Sequence, residues 1–210
     1  MQGRVRVISG TGVLNANGGV SVSGSGANLM RTLNNTGVAT YTGASVFYIS
    51  SPGVWNNPIG STLSLDGSGW IGNDGTINNA GTVRKTSGGT SDIHAVFNNT
   101  NLVDVQAGAL RLIGGGTHTG RFQGTALHTV GPQFGSTNFQ EGSEILCQDV
   151  RFDWNYGGDN HVRGTYNVPG STTVGINTVF HPSADVQSVG ALTVSGTCTF
   201  SSGETISPRA

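Results

Sequence analysis

Short stretches of alternating apolar and polar residues, separated by glycine-rich breaks, run along most of the 210-residue chain. "LVDVQ" (102–106) and "ALRL" (109–112) are examples, and a period of two means strands with one face buried. The strands recur with a longer rhythm. "LNNT" (33–36), "WNNP" (55–58), "INNA" (77–80) and "FNNT" (97–100) begin at residues 33, 55, 77 and 97, steps of 22, 22 and 20. Four residues beyond each first position stands Gly37, Gly81 or Asn101, with Gly60 one place later in the second copy. Glycine and asparagine tolerate a left-handed backbone, so a turn with positive φ is expected there.

Short strands, glycine punctuation and a period near 22 describe a solenoid. No six-residue apolar register suggests a hexapeptide helix, the period is about half that of a propeller blade, and the leucine-rich consensus is missing. The expected fold is all-β: a right-handed parallel β-helix of roughly nine or ten coils, about 22 residues and two or three strands per coil. Stacked at about 4.8 Å, such coils make a rod on the order of 45 Å long. Leu33, Trp55, Ile77 and Phe97 then point inward and stack on one another. The asparagines after them, Asn34, Asn56, Asn78 and Asn98, are expected at a corner as a ladder, each amide donating to the asparagine carbonyl of the next coil. The rhythm loosens near residue 140, but residues 1–210 read as one solenoid domain. The abrupt ends suggest a segment of a larger protein or a filament subunit.

Composition fits this picture. Thirty-five glycines and a 10% charged fraction suit tight turns and a Ser/Thr/Asn exterior, with Lys85 the only lysine. A net charge of −1 gives no footprint for nucleic acid. No apolar run is long enough for membrane insertion as a helix, and no signal peptide is visible at the start.

Residues 96–122, "VFNNTNLVDVQAGALRLIGGGTHTGRF", resemble the β-strand repeats of very large bacterial surface and secreted proteins. "GTYNVPGSTTVGINTVF" and "SVGALTVSGTCTFSSGETI" resemble repeats that often follow in such proteins. This adhesin-like class includes filamentous haemagglutinin and autotransporter passenger stalks, and the resemblance covers roughly residues 75–206. It implies a right-handed β-helix at the bacterial cell surface or outside the cell, and it carries no catalytic residues. The expected role is therefore a structural or adhesive rod, non-catalytic and without a cofactor. Its partners would be copies of itself stacked end to end or adjacent repeats of a parent chain.

The alternative is a polysaccharide-binding or polysaccharide-cleaving β-helix. Its candidate site is "CQDVRFDWNYGGDNHVRG" (147–164). If Leu146, Val150, Phe152 and Trp154 face inward, then Cys147, Asp149, Arg151 and Asp153 face out, followed by Asp159 and His161. Trp154 and Tyr156 are the candidate glycan or partner contacts within this stretch. Asp149 and Asp153 would lie about 13 Å apart along one strand, too far for a glycosidase pair unless a neighbouring coil supplies a carboxylate.

Other motifs carry less. "GSGWIG" (67–72) has the spacing of a dinucleotide fingerprint, but a turn follows it where the mechanism needs a helix. Asp66 and Asp74 lack the register of a calcium repeat, and Thr-x-Thr pairs share no register of an ice-binding face. The five histidines show no metal-ligand spacing and read as solvated loop residues. Alternation places Cys198 inside and Cys147 outside, which argues against a disulfide.

Overall fold

A computed structural model describes residues 6–23, 26–43, 46–130, 135–153, 157–200 and 205–206. Among these residues there is no helix; parallel strands stack into a β-solenoid of about nine turns, roughly 20 residues each. Each turn contributes to three faces. The first face runs through Ala27–Leu29, Phe47–Ile49, Trp70–Ile71 and Thr90–Ile93. The second stacks Val13–Ala16, Thr32–Asn35, Val54–Asn57, Thr76–Asn79 and Val96–Asn99, and continues through Gly116–His118, Thr137–Phe139, Asn160–Val162 and Thr178–Phe180. The third stacks Val20–Val22, Val38–Tyr41, Thr62–Leu65 and Thr82–Lys85. In the later coils Leu102–Leu112, Arg121–Val130 and Glu144–Asp153 run without a break from the third face into the first.

Alternation explains the interior. Leu33, Trp55, Ile77 and Phe97 are buried and occupy one register column, as the spacing predicts. The outer ladder also forms: Asn56 donates to Asn34 at 2.9 Å, Asn78 to Asn56 at 3.0 Å and Asn98 to Asn78 at 3.0 Å. Its sense is the reverse of the expectation, each amide donating to the preceding coil. It also begins one coil earlier, where Asn34 donates to Asn15 at 2.9 Å. The backbone N–H of Thr117 donates to the Asn98 Oδ1, so the amide orientation is set at that end and passes down the column.

The corner position belongs to the second asparagine. With Leu33 inward, Asn34 must face out and Asn35 inward, and Asn35, Asn57, Asn79 and Asn99 are all buried. They form an inner ladder running the other way: Asn35 to Asn57 at 3.0 Å, Asn57 to Asn79 at 2.7 Å and Asn79 to Asn99 at 2.7 Å. Each inner Nδ2 also donates to a carbonyl that opens the third face one coil on, Thr62, Thr82, Leu102 and Arg121 in turn. The buried amides thereby join coil to coil and corner to strand, which is where burial makes an unmet polar group costly.

The glycines after the ladder do not all turn the chain as expected. Gly60 has φ of 84°, but Gly37 and Gly81 are not in the left-handed region, and no described non-glycine residue, Asn101 included, has positive φ. Gly81 is required by proximity: a Cβ there would sit 2.4 Å from the Ser61 carbonyl oxygen of the coil below.

The phase of alternation slips at corners inside the long strands. Val105 and Ala109 pair with Gly124 and Ala126, so two residues are absorbed between the third and first faces. A similar slip in Glu144–Asp153 leaves both Cys147 and Val150 buried and turns Leu146 outward. Cys147 is therefore inside, contrary to the expectation from strict alternation, and both cysteines are free. Beyond Asn99 the inner column passes to His118, Phe139, Val162 and Phe180. His118 is fully buried between Phe97, Phe122 and Phe139, not a solvated loop residue.

At the end of the stack Cys198–Thr199 pairs with an antiparallel strand, Thr205–Ile206. No cap is legible in the sequence, yet the second face is closed here by the chain itself. Among the described residues the last strands of the other two faces, Ala191–Val194 and Asp185–Ser188, each keep an unpaired edge.

Candidate functional site on the first face

Outward positions of the first face form register columns, because parallel in-register pairing puts equivalent side chains above one another. One column runs Trp70, Asp92, Arg111, His128 and Arg151. Trp70 stands edge-to-face with Tyr48 of the coil before it, ring centroids 5.3 Å apart, and 4.3 Å from the ring of His94 on the coil after it. All three rings are half-buried. The other described Phe, Tyr and Trp residues are buried in the core, except Phe200, which packs against it.

Beside this shelf Arg111 grips Asp92 with two hydrogen bonds, Nε to Oδ1 at 3.0 Å and Nη2 to Oδ2 at 2.5 Å, and the His94 Nε2 lies 3.9 Å from the same carboxylate. Burial works against ionisation of Asp92, but the nearby His94 ring and the hydrogen-bonded Arg111 guanidinium outweigh it and hold the carboxyl below its ordinary range. Burial pushes His128 down, with Asp153 opposing the effect. These two groups are thus fixed as a carboxylate and a neutral imidazole near neutral pH.

The structure divides the stretch singled out in the sequence. Asp149, Arg151 and Asp153 lie on the first face: Asp149 accepts a hydrogen bond from the Ser171 hydroxyl at 2.6 Å, and Arg151 donates to Asp153 at 3.0 Å. Asp159 lies just before the second-face strand Asn160–Val162 and His161 within it, where His161 Nδ1 lies 3.1 Å from His181 Nε2. Trp154 and Tyr156 lie outside the described residues. The neighbouring coils place Ala126 and Ser171 beside Asp149, and Val130 beside Asp153 on the coil below. The carboxylate partner that a glycosidase would require is not supplied at these positions.

"GSGWIG" also resolves into solenoid parts. Trp70–Ile71 is a strand, and a Cβ on Gly67 would come within 2.2 Å of the Gly43 carbonyl oxygen. No group of three or more His, Cys, Asp or Glu side chains among the described residues is arranged to hold a metal ion. Two surface hollows, about 350 and 270 Å³, are shallow and lie at the corner before the third face, around Arg121 and Glu144 and around Arg163 and Asp185.

Sequence reasoning missed Tyr48, Trp70, Asp92, His94, Arg111 and His128. No local motif joins them; the register steps of 22, 19, 17 and 23 residues from Trp70 to Arg151 bring the column together. Compared with protein-family models, curated proteins and solved structures, the chain matches none.

Proposed function

We propose that this chain is a structural and adhesive rod of the bacterial surface or extracellular space, without catalysis, that stacks end to end with copies of itself or with adjacent repeats. The observation that supports this reading is the unbroken parallel stack. Strands on each face pair above and below from one end to the other, and the two asparagine ladders tie the first five coils laterally. Such a body resists bending because each coil is hydrogen-bonded to its neighbours along its length. Among the described residues, Ala191–Val194 and Asp185–Ser188 keep unpaired strand edges of the kind that template further pairing.

Sedimentation of the full chain at increasing concentration tests the stacking. Rod-like multimers that lengthen with concentration are expected; a monomer at every concentration contradicts the end-to-end contact. The antiparallel strand Thr205–Ile206 occupies the edge of Cys198–Thr199 that an incoming coil would need. Truncation after Phe200 should therefore move self-association to lower concentration, read in the same experiment. Unchanged or weaker association in the truncated chain would show that this strand does not restrain stacking.

A further inference from the structure

The outer surface of this solenoid is mostly Ser, Thr, Asn and Gly, so two outward aromatic side chains on adjacent coils need a reason. Folding alone supplies a weak one, because Tyr48 and Trp70 remain half-exposed while the other described Phe, Tyr and Trp residues lie in the core or, for Phe200, pack against it. Their surroundings supply a better one. Within three coils of Trp70 lie a carboxylate locked by a bidentate arginine, the ring of His94 and the imidazole of His128. We infer that the strip from Tyr48 through Trp70, Asp92 and Arg111 to Arg151 binds a neutral, linear polysaccharide laid along the rod.

The chemistry points to a sugar polymer for three reasons. An aromatic face takes the C–H face of a pyranose, while a fixed carboxylate and guanidinium beside it pair with vicinal hydroxyls. The strip holds three aspartates, Asp92, Asp149 and Asp153, against two arginines that are already ion-paired, Arg111 and Arg151. It therefore has no surplus positive charge to attract a polyanion. The groups repeat every coil, about 4.8 Å, on an open face, which suits an extended chain better than a compact molecule.

This site rests on the adhesive reading above, and it is tested on the full chain by isothermal titration calorimetry. The probes are the linear hexasaccharides of glucose, mannose, xylose and N-acetylglucosamine, with polygalacturonate as the charged comparison. At least one neutral hexasaccharide should bind, and Trp70→Ala and Asp92→Asn should each weaken it about tenfold or more, equivalent to about 1.4 kcal/mol. Thermal melting of Trp70→Ala should match the parent, since the ring is outside the core. The inference is overturned if no neutral hexasaccharide binds, if Trp70→Ala binds as well as the parent, or if polygalacturonate is preferred. Failure here would leave the sedimentation result, and hence the rod, unaffected.

Discussion

Asn79→Ala should destabilise the chain by about 3 kcal/mol or more, whereas Asn78→Ala, one residue away, should cost less than about 1 kcal/mol. The two asparagines each make ladder bonds in both directions, but to opposite effect. Asn79 is buried; its loss removes one of the two acceptors of the Asn57 amide, leaves the Asn99 Oδ1 with only the Asn101 N–H, and takes the side-chain donor from the Leu102 carbonyl. Water cannot reach these groups, so none of the three lost bonds is replaced. Asn78 is half-buried on the outer surface, where water replaces its bonds to Asn56 and Asn98. Denaturant titration of both variants measures the difference. Equal costs would mean that the inner amides are not sealed from solvent as described.

Lowering the pH from 7 towards 4 should remove several kcal/mol of stability, and His118→Phe should abolish most of that loss. His118 is fully buried among Phe97, Phe122 and Phe139, with neither ring nitrogen hydrogen-bonded. Burial pushes its pKa down to about 3. In the unfolded chain the same imidazole takes a proton near pH 6.5. Below that value the unfolded state binds a proton that the folded state refuses, so stability falls as the pH drops from about 6.5 to about 3. At 1.36 kcal/mol per pKa unit the total is on the order of 4–5 kcal/mol. A phenylalanine has nothing to protonate and leaves no nitrogen unmet, so at pH 7 the variant should be at least as stable as the parent. Guanidinium titrations at pH 7, 5.5 and 4 test this. A variant with the parent's full pH dependence would place the titration elsewhere.

Much of the fold was legible because a solenoid repeats its instructions. The spacing of Leu33, Trp55, Ile77 and Phe97 is enough to stack them, and alternation alone implies which of two neighbouring asparagines is buried. Assigning the corner to Asn34 and its counterparts overlooked that period-two rule; Asn35 is the inward residue. Cys147 departs from strict alternation for a different reason. A strand that crosses a corner absorbs extra residues there, so parity counted from Val150 does not carry back to Cys147. Lys85 shows the limit of pattern reading: alternation points it inward after Val83, and its amine is satisfied by the carbonyl and hydroxyl of Ser87 in the adjoining turn.

The site was harder to read than the scaffold. Asp149, Arg151 and Asp153 were visible as a cluster because they are close in sequence. Trp70, Asp92 and Arg111 are adjacent only through parallel pairing across coils of unequal length. A reader of the sequence must know the face and register of each strand before that column exists.

Register is also what can be measured most directly. NMR experiments that detect scalar coupling across hydrogen bonds can correlate an asparagine Nδ2 with the side-chain carbonyl carbon that accepts its proton. Connections from Asn57 to Asn79 and from Asn79 to Asn99 on the inner ladder, and in the opposite sense from Asn78 to Asn56 on the outer one, are the predicted result. Inner asparagine amides that exchange freely with solvent and couple to no neighbouring asparagine would contradict the stacked solenoid.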